Sequence, residues 1–300
     1  MGAILNPLYT AVSWVIITFH DLLSFTNNED LQWSIGIIAL VILIRIILIP
    51  LFVKQIKSQR ALTALQPHMK AIQKKHKDDR QKQSEEMMKL YKEHKTNPFA
   101  SCFPILAQAP IFFALFTVLN GISQNKPHGL LKGEYLLSAQ EAHFFGAPLS
   151  GTFLGSTDGG TKLIAIALII FMSATTFTTQ RQLMVKGMPK MDSSNNMMLQ
   201  QQKIMLYLFP IIFAVTGVNF PIGVLIYWST TNLWTWGQQY YVIKRNPTPG
   251  SPAYEELQKK KAAKGLLDEK SNNESGTTIT ENPTDTGGQR KQPKRKKKKR

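Results

Sequence analysis

The chain contains a single cysteine, Cys102, so no disulfide can form within it, and its place in an apolar stretch fits a small buried side chain. No Lys or Arg occurs in the first 32 residues, which leaves a cleaved secretory signal without its basic flank. Asp, Glu and His are all absent from five long apolar stretches. An enzyme is therefore not expected, because acid–base or metal catalysis has nothing to build on there. Of the six histidines, His68 and His76 come nearest to a pattern, but their spacing is too wide for zinc and they lack Cys or carboxylate partners. No metal, cofactor or small-molecule substrate is expected.

What is present is strong segregation. The mean hydropathy of -0.13 resembles that of a soluble protein, yet no charge occurs from 204 to 243 and charge is dense elsewhere. The stretches 33 to 53, 99 to 120, 162 to 180, 204 to 219 and 222 to 243 are long enough, at about 1.5 Å per residue, to cross a ~30 Å hydrocarbon layer. Asn219, Pro221 and Gly223 make a tight turn between the last two. The expected fold is all-α and polytopic, with five transmembrane helices.

Basic residues fix the orientation, because Lys and Arg are retained on the cytoplasmic side. The stretches 54–98, 181–203 and 244–300 hold 12, 4 and 16 of them, whereas only Lys126, Lys132 and Lys162 fall on the opposite side. The N-terminus is thus expected outside and the C-terminus inside, in a multi-pass protein. Residues 1 to 30 read as an outer amphipathic segment, with Leu8, Val12, Val15, Ile16, Phe19, Leu22 and Leu23 at helical spacing from Pro7 to Phe25.

Residues 57 to 95 are too polar to insert and read as a cytoplasmic helical hairpin. Its helices are expected at Lys57 to Lys77 and Arg80 to Lys95, with Asp78 and Asp79 as turn and N-cap. Ala61, Leu62, Leu65, Met69 and Ile72 face Met87, Met88 and Tyr91 across a thin apolar seam. The outer loop 121 to 160 carries no motif and reads as a connector. Residues 246 to 300 read as a disordered basic tail, whose Lys259 to Lys261 and Lys294 to Arg300 suit ribosomal RNA, anionic lipid or plain solvation.

One residue breaks the pattern. Arg45 places a full charge inside the first apolar stretch, at a cost of roughly 3 kcal/mol on insertion scales. It lies ~18 Å along the helix from Trp33, with Val53 ~12 Å further on. The other polar residues of the stretches also gather in their cytoplasmic halves: Gln108, Thr175, Thr176, Thr178, Thr179, Asn232, Thr235 and Gln238. This one-sided polarity suits a cavity open to the cytoplasm and sealed outside. The threonines can equally bond back to their own helix, and Gln108, Tyr227 and Trp228 can equally serve packing.

The residues also resemble a known family. The resemblance is carried by Arg45 with Ile49-Pro50 and Lys54-Gln55, by Ser84 to Lys92, and by Asn97-Pro98 through Cys102-Phe103-Pro104 to Phe112. It continues at Leu208-Phe209-Pro210, Pro221 to Trp228 and Asn232-Leu233, covering roughly residues 5 to 245. These resemble the YidC family of membrane protein insertases, in a short form without the large outer domain of Gram-negative members. Val41 departs from members that carry a hydroxyl one turn before the arginine.

The resemblance implies an insertase core over 31 to 245 in the bacterial plasma (inner) membrane, with a hydrophilic groove open to cytoplasm and lipid. It implies a groove arginine at Arg45, groove-lining Gln108 and Trp228, and nascent membrane proteins as partners. Tyr227, Thr175 and Asn232 complete the expected groove. The ribosome through the basic tail, the SecYEG translocon and anionic lipid are further candidate partners. The rival reading is a secondary carrier for a small anion using Arg45, against which stand the odd number of spans and the missing internal repeat.

Overall fold

The computed structural model describes residues 2–94, 96, 103–188 and 196–263. The expected start of the second span, with Ser101 and Cys102, the segment 189–195 and the tail beyond Ala263 lie outside the described residues. The described residues up to Leu257 form one compact unit.

Helix α1 (Gly2–Leu22) is followed by a 3-10 turn at Ser24–Thr26 and α2 (Glu29–Ile47). Asn27, at φ 48°, turns the chain, and the Asn28 side chain accepts the first free N–H, from Leu31. Glu29 and Asp30 then lie in the positive first turn of α2 and Arg45 in its negative last turn, each sign where the helix dipole favours it.

The helix of the first apolar stretch, expected over 33 to 53, is broken before its end. α2 stops at Ile47, and α3 runs from Ile49 to Ala64. Pro50 explains the break: it has no N–H for the Ile46 carbonyl and its ring crowds that group, so a new helix starts with the proline in its first turn. Pro67 acts in the same way, dividing the expected Lys57–Lys77 helix into α3 and α4 (Gln66–Lys75). Helix α5 (Arg80–Glu93) begins where expected, with the Asp79 carboxylate accepting the Lys82 N–H. Leu65 and Leu90 are buried in this hairpin, the Tyr91 hydroxyl meets Met69 Sδ at 3.7 Å, and Lys75 and His76 flank Glu86. Met88 faces outward, contrary to the expected seam.

Helix α6 (Phe103–Gln124) leads to α7 (Glu134–Glu141) and a two-stranded hairpin, β1 (His143–Phe144) with β2 (Ala147–Pro148). Here the expectation of a plain connector fails. Leu131, Leu136, Ala139, Ala142, Ala147 and Leu149 are buried, joining one core with α1, α2, α6 and α10. The Trp33 indole donates to Ser138 Oγ at 2.8 Å, the Ser138 hydroxyl donates to Glu29, and the His20 ring packs at a tilt on Trp33 with its Nε2 3.0 Å from Glu29. Tyr135 donates to Asp21, which holds its phenol above the usual range. The loop is a folded cap.

Helix α8 (Gly159–Gln182), capped by Asp158, runs into a π turn at Leu183–Gly187. Helices α9 (Asn196–Gly217) and α10 (Ile222–Arg245) form a helical hairpin, followed by α11 (Pro252–Ala263). Gly223 sits within α10 rather than in the turn. The first N–H groups of α10 are satisfied by the cap, Ile222 donating to the Gly151 carbonyl and Gly223 to that of Leu149.

Burial is strongly uneven along these helices. Buried side chains gather at the cap end: Trp33, Ile37, Leu40 and Val41 on α2; Ala114, Leu115, Val118, Leu119 and Ile122 on α6; Ala165, Ile169 and Met172 on α8; Ile222 to Tyr227 on α10. Among the described residues, none on α2 after Val41, on α8 after Met172 or on α10 after Ser229 is fully buried. Large apolar side chains remain exposed on the outside of α8 and α9, among them Leu163, Ile170, Ile211 and Val215. The bundle is closed at one end and loosely packed at the other.

Candidate functional site

The loosely packed end holds the polar residues singled out from the sequence. Arg45 is half-buried, one turn below the last buried residue of α2. Its guanidinium lies 5.5 Å from the centroid of the Phe52 ring, across the helix break, and Tyr227 is its electrostatic neighbour. Among the described residues it makes no ion pair and no hydrogen bond. The α2 C-terminus and an aromatic face are what temper its charge.

Tyr227 and Trp228 stand where α10 passes from its buried to its open half. Phe112 on α6 packs against both, at ring separations of 6.5 and 5.7 Å. Gln108 is one turn before Phe112 on the same face, and its Oε1 is buried with no hydrogen-bond partner among the described residues. Phe112 thus links Tyr227 and Trp228 on α10 to the face of α6 that carries Gln108. Trp228 is further enclosed by Phe213 and Phe220, at 5.4 and 5.0 Å.

Thr175 and Asn232 are placed differently. The Thr175 hydroxyl donates to the Phe171 carbonyl at 2.8 Å, and Thr178, Thr179 and Thr235 likewise bond back to their own helices. Asn232 Nδ2 donates to Thr176 Oγ1 at 3.1 Å and so ties α10 to α8. These groups pack the wall of the open end rather than point free polar atoms into it.

Sequence reasoning gave no role to Phe52 or Phe112, nor to Ser34 and Ser229, whose buried hydroxyls have no partner among the described residues. The i, i+4 spacing of Phe112 from Gln108 was the available signal for the first face. Among the described residues no group of three or more His, Cys, Asp or Glu is placed to hold a metal ion.

The model of the family described as 60Kd inner membrane protein matches residues 24–249, most of the chain. The chain belongs to this family, the YidC family. A YidC-family relative from Streptomyces avermitilis, named a membrane protein insertase, is 54% identical over 81% of this chain and 59% of its own length. One of the same name from Tropheryma whipplei is 36% identical over 84% of this chain and 87% of its own. This chain thus spans under two thirds of the Streptomyces protein but most of the Tropheryma one. A solved structure described as an active YidC insertase with its first transmembrane domain resolved has a TM-score of 0.48 at 28% identity. It is matched over 77% of this chain and 46% of that one. None of these relatives is named as a carrier of small anions. Membership places this YidC-family chain in the bacterial inner membrane. Two of its described helices, Glu29–Ile47 and Gly159–Gly187, are long and apolar enough to cross that membrane by length and composition.

Proposed function

We propose that this chain is a membrane protein insertase and chaperone whose open end receives newly made membrane segments from the cytoplasm and releases them into lipid. In this reading α2, α6, α8, α9 and α10 are its five spans. The N-terminus and cap are outside, and the α3–α5 arm and the C-terminus are cytoplasmic. The observation that carries it is the uneven packing: a sealed cap end above a half-open polar end that holds Arg45, which makes no ion pair among the described residues.

A client enters with a short acidic or polar stretch that must cross. Arg45 attracts that stretch, more strongly than in water because the surroundings are of reduced dielectric. Gln108 offers a buried acceptor that wants a donor, and Phe112, Tyr227 and Trp228 give the apolar part of the client a surface. The closed outer half shortens the remaining distance. The client helix then partitions laterally into lipid at ~25 cal/mol per Å² of apolar surface removed from water. No covalent step is involved. The basic tail as a ribosome contact and the SecYEG translocon as a neighbour belong to the same proposal.

A photoreactive residue at Gln108 in the full chain, presented with a ribosome-stalled client, tests this directly. The expected adduct joins Gln108 to the client's apolar segment, while one placed at exposed Leu163 on α8 stays unlinked. Equal labelling from both positions would count against a groove.

A further inference from the structure

On the orientation proposed above, the cytoplasmic half of α10 carries a second feature that the groove does not use. Trp236 and Tyr240 are four residues apart and exposed, and their rings lie nearly parallel, 6.3 Å between centroids and 14° between planes. One more turn on, the Lys244 ammonium sits 5.6 Å from the Tyr240 ring centroid. The three side chains form a ladder along one helix face, ending in a positioned cation rather than a freely swinging one. Tyr241 and Leu233 widen the exposed apolar surface beside it.

Depth decides what this ladder meets. Lys244 lies 22 residues beyond the start of α10, hence ~33 Å along the axis, and a hydrocarbon core is ~30 Å thick. With Ile222 tied to the cap, Trp236 and Tyr240 fall in the inner part of the acyl layer and its boundary, and Lys244 at the headgroups. A second element brings further charge to this level. Gly187 of the π turn packs on Ile243, its missing Cβ being 3.5 Å from Ile243 Cδ1, so the turn that carries exposed Lys186 lies against the end of α10 that carries Lys244 and Arg245. Among the described residues none of these three cations makes an ion pair.

We propose that this corner of α10 and the π turn is a binding site for an anionic phospholipid of the cytoplasmic leaflet. Lys244, Lys186 and Arg245 take the headgroup phosphate, and the Trp236–Tyr240 stack lies along the upper acyl chains. An anion alone would not need the aromatic steps, and a zwitterionic lipid would not need three cations. The same lipid would anchor the α8–α10 wall at its open end. This site is separate from the groove and does not depend on Arg45.

The test is quenching of tryptophan fluorescence in nanodiscs holding the full chain. Brominated phosphatidylglycerol or brominated phosphatidylcholine is added at equal fraction, and Trp236→Phe isolates the Trp236 signal. The expected result is stronger quenching by phosphatidylglycerol, its preference falling about fivefold for each cation removed in Lys244→Gln and Lys186→Gln and shrinking with salt. These variants lie on the surface, and unchanged thermal unfolding confirms that they fold. Equal quenching by both lipids, or a preference untouched by the double variant, overturns the proposal. So does loss of ribosome co-sedimentation in that variant with lipid preference intact, which would assign the cations to RNA.

Discussion

The Cβ that Gly36 lacks would lie 3.1 Å from the backbone carbonyl oxygen of Ile16, so α1 crosses α2 at a point where a side chain fits only if the helices move slightly apart. Gly36 is in the interior of α2, where glycine costs about 1 kcal/mol against alanine, and close packing accounts for its presence. Replacing it with leucine is expected to lower stability by about 1 to 3 kcal/mol through overpacking. Thermal unfolding of purified protein in detergent measures this, and a Gly36→Leu variant as stable as the parent would show that the crossing yields.

The cap is expected to contribute to stability through Trp33 as well as through its apolar residues. In Ser138→Ala the fully buried Trp33 indole loses its acceptor and Glu29 loses a donor, a cost of about 1 to 3 kcal/mol. The loss should appear in thermal unfolding and as faster proteolysis between 121 and 158. An unstructured connector would show neither.

Acid sensitivity should trace in part to Asp158. Its carboxylate accepts the Thr161 N–H at 2.6 Å and the Thr161 hydroxyl at 2.9 Å, which hold its pKa below the ordinary aspartate value. A group whose pKa is lower in the folded state contributes stability above its unfolded value, about 3.9, and loses it as pH falls through the folded value. Asp158→Asn keeps a capping oxygen without the proton equilibrium. Its unfolding temperature should therefore fall less steeply than the parent's as the pH is lowered through the carboxylate range.

What could be read from the sequence was set by how local the cause was. Asp79 was legible because a cap acts within three residues, and Arg45 because a lone charge in an apolar run needs no partner to be noticed. The back-bonding of Thr175 was one of two open readings, and the structure places its hydroxyl on the Phe171 carbonyl. Gly36 was not legible as a packing residue, since its reason is Ile16 on another helix. Pro50 was seen, yet its effect in ending α2 at Ile47 was not carried through. The cap was missed because Leu131, Leu136 and Leu149 share no helical or strand period; only the fold brings them together. Phe112 belongs to a local motif, but its packing on Tyr227 and Trp228 joins residues over a hundred positions apart.

The central claim is that the charge of Arg45 draws in a client, and the direct measurement is insertion into vesicles reconstituted with Arg45→Ala. A single-span client with an acidic translocated tail should insert about tenfold less efficiently, equivalent to ~1.4 kcal/mol. Arg45→Lys should retain most activity, and a client with a neutral tail should change little. Undiminished insertion of the acidic-tailed client by a properly folded Arg45→Ala protein would contradict the account.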